Sequence, residues 1–164
     1  MKYIPFFLCF LIIISCNEDD DFEFNCCGEN PFAETNVDNL EVSLGGKVMR
    51  RNIPLTPNND GINDRFFFIN IESHPNNTFV IFDSNDNIVF ETEGYNSNTN
   101  AFPSLEDLQT GNVPEQGVYR YRLVIENEDV FLEEGLFCLI LEDDETVDTS
   151  GCDLSNGDPL ITGN

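Results

Sequence analysis

The sequence has no tryptophan, a single histidine, and only 7 lysines and arginines against 31 aspartates and glutamates. Each scarcity excludes something. A net charge of −24 argues against nucleic acid as a partner, because polyanions are held by basic side chains that neutralise phosphates. The same charge disfavours direct docking of a folded domain on an anionic lipid surface. The one histidine, His74, stands beside Pro75 in a loop with no nucleophile near it in sequence, and a lone exposed histidine is ordinarily bystander surface. Carboxylates are so numerous that no pair stands out as an acid/base couple, and no glycine-rich phosphate loop exists. The expectation is a protein that is not an enzyme.

What is present begins with Lys2 and the apolar run from Phe6 to Ile14, which has the charged start and short core of a secretory signal and is too short to span a bilayer comfortably. Ile13-Ile14-Ser15-Cys16 follows and looks like a bacterial lipobox. Residues 1–15 are therefore read as a lipoprotein signal peptide and Cys16 as the acylated thiol; the alternatives are an ordinary cleavable signal or an uncleaved anchor. A diacylglycerol plus an amide-linked chain would anchor far more firmly than one acyl group. Residues 16–37 read as an acidic tether, because the self-repulsion of Glu18-Asp19-Asp20-Asp21 and the lack of apolar surface oppose packing.

Four cysteines remain: Cys26, Cys27, Cys138 and Cys152. An even number in an exported chain favours disulfides. A bond between the neighbours Cys26 and Cys27 would be strained, so each is expected to pair with one of Cys138 and Cys152, in an order the sequence leaves open. Zinc is the rival reading, although Cys26-Cys27 lacks the usual C-x2-4-C spacing and His74 stands in no ligand-like cluster.

Between the tails the pattern is short and strand-like. Leu40, Val42 and Leu44 alternate with polar residues, and Gly45-Gly46 then turns the chain toward Val48-Met49. Ile53-Pro54-Leu55 fits an edge strand, since Pro54 cannot donate to a ladder. Arg50-Arg51 is the only paired basic spot; it could anchor an acidic neighbour, and otherwise reads as solvated surface. Phe66 to Ile71 follows, then a hairpin of Phe79 to Phe82 and Ile88 to Phe90. Glu93 to Asn112 is polar and loop-rich, with at most a short helix around Ser104 to Leu108. Tyr119, Tyr121, Leu123 and Ile125 share one strand face, with Arg120 and Arg122 pointing outward; core tyrosines are the expectation and a Tyr/Arg ligand platform the alternative. Asp129 to Leu132 and Gly135 to Leu141 supply the final strands. The sum predicts an all-β domain over residues 38–141, an antiparallel β-sandwich with a small barrel as the alternative. Residues 142–164 form an acidic C-terminal tail, loosely ordered or disordered like the N-terminal tether.

The densest polar stretch is Thr56-Pro57-Asn58-Asn59-Asp60-Gly61-Ile62-Asn63-Asp64-Arg65-Phe66. Its composition builds a rigid turn, because Pro57 disfavours helix at Thr56 and the Asn and Asp side chains hydrogen-bond nearby backbone. Asn58, Asp60, Asn63 and Asp64 also form a candidate calcium set, since hard cations take oxygen ligands. An EF-hand frame fails, because its first and twelfth positions would be Thr56 and Phe67. The alternative is an Asx-rich turn satisfied by its own backbone; no other cofactor is required.

This loop, followed by the aromatic Phe66-Phe67-Phe68 and later by Pro114-Glu115-Gln116-Gly117-Val118-Tyr119-Arg120-Tyr121, resembles the gliding motility-associated C-terminal domain, the type B sorting module of type IX secretion in Bacteroidetes, over about Ile53 to Ile140. The resemblance implies an immunoglobulin-like topology and a cell-envelope setting, and no reaction. Asp20-Asp21-Phe22-Glu23 is similar to the acidic signal that carries lipoproteins of that group to the outer face. Two departures stand out. The family's hairpin carries Arg-Trp-Gly where this chain has Ser84-Asn85-Asp86, and an acidic extension, Glu142-Asp143-Asp144-Glu145, follows the last strand. The expectation is an outer-membrane lipoprotein facing the exterior, a non-catalytic interaction module with a protein partner in that membrane, such as an accessory subunit of an envelope complex. The alternatives are a glycan- or matrix-binding adhesin using loops such as Gly94 to Gln109, and secretion cargo that uses the domain as its sorting signal.

Overall fold

The computed structural model describes residues 25–39, 48–126, 130–141, 148–153, 157 and 158. The lipobox with Cys16, the Asp20-Asp21-Phe22-Glu23 motif, the Leu40 to Leu44 alternation and the Glu142 to Glu145 run lie outside these residues. Within them the chain is almost entirely antiparallel β, as expected. Strands β1 (Val37–Asp38), β4 (Asn77–Phe82), β5 (Ile88–Glu93), β6 (Gly117–Glu126) and β7 (Val130–Leu139) form a five-stranded sheet in the order β1-β7-β6-β4-β5, and β2 (Met49–Arg50) pairs with β3 (Phe68–Ile69) in a second sheet.

The alternation of β6 decides which face of the large sheet is buried. Tyr119, Tyr121, Leu123 and Ile125 point inward and meet Phe137, Gly135, Glu133 and Phe131 of β7 across the ladder. Opposite Tyr121 only glycine fits. A Cβ at Gly135 would lie 2.6 Å from the Tyr121 hydroxyl oxygen and 2.7 Å from its ring carbons. Phe79 and Ile81 of β4 complete this face, and the second layer closes over it with Val48, Leu55, Phe66, Phe68, Tyr95 and Phe102. The result is one aromatic core whose rings sit at tilted or edge-on contacts, each worth about 0.5 to 1.5 kcal/mol beyond the area it buries.

Several local expectations change, each for a traceable reason. The two final strands are one, because the Glu133-Glu134 pair that looked like a break is paired on both faces. Glu133 accepts from the Tyr121 hydroxyl at 2.9 Å on the inner side, and Glu134 from Arg122 Nε at 2.8 Å on the outer side. Phe66 to Ile71 is ladder-paired only at Phe68–Ile69. The Phe66 amide goes to the Phe102 carbonyl, and Asn70, at φ +65°, turns the chain into a 3-10 turn over Ile71–Ser73. Ile53-Pro54-Leu55 contributes a single parallel bridge, Leu55 to Leu139, rather than a strand.

His74 is not surface. It is only 1 % exposed, tucked beneath that 3-10 turn, with its carbonyl accepting from the Asn77 side chain at 2.7 Å. Nor is Glu93 to Asn112 a free loop: Tyr95, Ala101 and Phe102 are in the core, and Asn77 clamps Tyr95 by accepting from its amide at 2.8 Å. Helix α1 (Leu105–Thr110) stands where a short helix was expected. Ser104 caps it and exchanges hydrogen bonds with Asp107 in a capping box.

Both flanks are held to the body. Cys26 bonds Cys138 and Cys27 bonds Cys152. Val37 and Asp38, at the boundary drawn between tether and domain, already pair with Leu132 and Phe131, and Asn30 and Asn36 both donate to the Glu134 carbonyl. The acidity of the flanks hid these contacts, which are made by asparagine and cysteine side chains and by backbone.

Candidate functional site

The polar loop after Thr56 is built almost entirely from its own hydrogen bonds. The Thr56 amide donates to the Asn63 carbonyl at 2.9 Å, which closes the loop at its base. Asp64 fills the interior: one carboxylate oxygen accepts from the Asn59 amide at 2.5 Å and the other from the Gly61 amide at 2.7 Å. Asp60 accepts from the Ile62 amide at 2.8 Å and from the Asn58 side chain at 3.1 Å, and Asn58 Oδ1 accepts from the Asp60 amide at 3.0 Å. Asn59 and Asn63 take positive φ, and Gly61 sits at φ +90°. Hydrogen bonds to a charged acceptor contribute about 1.5 to 3 kcal/mol each, so Asp64 is the residue that fixes the loop's shape.

The four candidate calcium ligands are therefore close in space but differently used. Asn58, Asp60 and Asp64 direct their oxygens at amide and side-chain hydrogens of the loop, while the Asn63 amide group points away and donates to Asp158 at 2.9 Å. Among the described residues, no three His, Cys, Asp or Glu side chains come together as a metal centre would need.

Beyond the loop the chain turns at Arg65 into Phe66, which plugs the core, and Phe67, which does not. Phe67 is 45 % exposed and, with Ile62, Arg65, Leu105 and Leu108, lines an open groove of about 760 Å³ along the loop's flank. The groove mixes apolar side chains with the guanidinium groups of Arg51 and Arg65 and the carboxylates of Asp60 and Asp64.

Arg50, read from sequence as surface, is instead packed among rings. Its guanidinium lies 4.6 Å from the centre of Phe66, 5.5 Å from Tyr121 and 5.6 Å from Phe137, and it donates to the carbonyls of Arg51 and Ile53. Burial lowers its pKa, against an opposing pull from Tyr121 and Glu133, and burial raises that of the Tyr121 phenol. Arg51 does remain at the surface, paired with Asp153 at 2.8 Å. On the outer face Arg120 and Arg122 share Glu134, and Arg120 also lies over Phe82 and reaches Asp86 in the hairpin turn. The arginine stripe is thus a set of internal ion pairs beneath which the tyrosines are core, as the alternation suggested.

The family model of the CHU_C type IX secretion signal domain matches residues 49–138, from the first residue of β2 to the cysteine near the end of β7. The chain belongs to this family. No curated protein and no solved structure matches it at a significant level. The CHU_C match contains the polar loop after Thr56, the aromatic core and the β4–β5 hairpin, while β1, Cys26, Cys27, Cys152 and Asp158 lie outside the matched residues. Sequence reasoning reached the loop and the cysteines. It missed Arg50, whose role depends on rings brought from three distant segments, and Asp158, one acidic residue among many in the tail.

Proposed function

We propose that this protein is an outer-membrane lipoprotein, anchored through Cys16 and facing the exterior, in which a CHU_C module serves as a non-catalytic platform for protein contact. The observation that carries the reading is the match to a secretion signal domain in a chain whose two cross-links require an oxidising, extracytoplasmic compartment. The lipobox spacing at Ile13-Ile14-Ser15-Cys16 supports the anchor. From Cys16 to Asn25 the chain can reach at most about 30 Å, so the corner bearing Cys26 and Cys27 would stand next to the membrane and the contact surface beyond it.

The test is fractionation with protease shaving of intact cells. The wild-type chain is expected in the outer membrane and degraded by external protease, whereas Cys16→Ala is expected in the soluble fraction. Wild-type protein that survives shaving would place it on the inner leaflet side. A second reading is favoured by the family itself: the chain is secretion cargo that uses this domain as its signal. It predicts a released product from which residues 49–138 have been cleaved.

The fold is proposed to need no cofactor. The loop's carboxylates already receive their hydrogen bonds from within the loop, so millimolar calcium is expected to leave the melting temperature unchanged. A rise of several degrees that chelator reverses would instead make Asn58, Asp60, Asn63 and Asp64 a calcium site.

A further inference from the structure

At the base of the loop, two donors converge on one atom from outside the family module. Thr56 is fully buried, and its hydroxyl gives a short hydrogen bond to Asp158 Oδ2; the Asn63 side-chain amide donates to the same oxygen at 2.9 Å. Asp158 is 1 % exposed, and it lies well past the end of the matched residues. A carboxylate withdrawn from water to this degree is tolerated only where donors replace its hydration.

The donors are held in place without help from Asp158. The Thr56 amide is bonded to the Asn63 carbonyl, and Asp64 braces the residues between them, so the hydroxyl and the amide are fixed relative to each other by the loop alone. The arrangement is therefore a preformed site, and the acidic tail supplies its occupant. Three contacts deliver that occupant. The Cys27–Cys152 bond ties down the start of the tail, the Asp153 amide donates a hydrogen bond to the Asn52 carbonyl, and its carboxylate pairs with Arg51.

We propose that Thr56 and Asn63 form a carboxylate socket in the signature loop of this CHU_C module, that Asp158 is its ligand supplied in cis, and that the socket accepts an aspartate-bearing peptide when Asp158 is withdrawn. The proposal rests on the loop geometry and not on the lipid anchor. Because the disulfide at Cys152 lies only six residues before Asp158, the cis ligand is present at an effective concentration on the order of millimolar. A peptide of modest affinity is then excluded from the wild-type chain, and the tail keeps the module's signature loop occupied.

The experiment uses the full chain with its disulfides intact and a dye-labelled, C-terminally amidated peptide of residues 153–162, followed by fluorescence anisotropy. Saturable binding is expected for Asp158→Ala and none for wild type. Affinity for the variant should fall roughly tenfold or more when the peptide carries Asn in place of Asp158, or when the chain also carries Asn63→Ala. Should Asp158→Ala not fold, Asp158→Asn keeps the side-chain volume, and the aspartate peptide is expected to bind it while sparing wild type. Absence of binding to both variants, equal binding to variant and wild type, or indifference to the Asp-to-Asn change in the peptide would each overturn the proposal.

Discussion

Replacing Cys26 and Cys138 by alanine while Cys27–Cys152 stays closed is expected to cost about 3 kcal/mol, whereas opening both disulfides is expected to cost about 7 to 8 kcal/mol. The difference follows from where the bonds start. Either one alone closes a loop of more than 100 residues, with partners 112 or 125 positions apart, worth about 4.7 kcal/mol in the chain-entropy model. Once one has formed, the other closes only the stretch from Cys138 to Cys152, joined through the single peptide bond between Cys26 and Cys27. That is roughly a 15-residue loop, worth about 3 kcal/mol. The two single losses should therefore resemble each other, and the double loss should exceed their sum by about 1 to 2 kcal/mol. Alanine is preferred to serine because Cys26 and Cys138 are buried and a hydroxyl there would add its own desolvation cost. Chemical denaturation of the three variants under non-reducing conditions supplies the numbers. Strict additivity would mean that each bond stabilises independently of the other, so that loop closure in the unfolded chain is not the mechanism.

The parts of this protein that could be read from its sequence are those whose cause is local. The inward stripe of β6 is written in alternate residues, the β4–β5 hairpin in two β-rich runs around an Asp/Asn turn, and α1 in a serine three residues before an aspartate. The loop after Thr56 was legible for the same reason: its bonds join residues two to seven positions apart. What escaped was decided at long range. Glu133 and Glu134 look like a break until Tyr121 and Arg122 are laid beside them, and Arg50 looks solvated until Phe66, Tyr121 and Phe137 surround it. The order of the disulfides is of this kind as well, since adjacent cysteines give no sequence reason to prefer either partner. Asp158 is the extreme case, because its significance lies wholly in two donors about a hundred residues away.

Phe66→Ala is expected to destabilise the domain by about 3 to 5 kcal/mol, while Phe67→Ala, one residue along, should cost under about 1 kcal/mol. Phe66 is 2 % exposed and its ring centre lies 4.8 Å from that of Phe137, 5.0 Å from Phe79 and 5.2 Å from both Phe68 and Tyr121, so truncation leaves a cavity bounded by rings from β3, β4, β6 and β7. Few of those neighbours can collapse into it. They are fixed by ladder hydrogen bonds or, for Tyr121, by Glu133. The substitution also removes the nearest ring beneath the Arg50 guanidinium, at 4.6 Å, leaving a half-buried cation with poorer company. A double-mutant cycle of Phe66→Ala with Arg50→Met isolates that share, for which a coupling of about 0.5 to 2 kcal/mol is expected. A coupling near zero would mean that the carbonyls of Arg51 and Ile53 alone hold Arg50, and that the loss at Phe66 is packing. Because Phe66 directly follows the polar loop and its carbonyl accepts from the Tyr95 hydroxyl, the same variant should loosen the base of the loop as well. Faster amide exchange at Thr56 and Gly61 than in Phe67→Ala would show that the signature loop owes its rigidity to the aromatic plug behind it as much as to Asp64 within it.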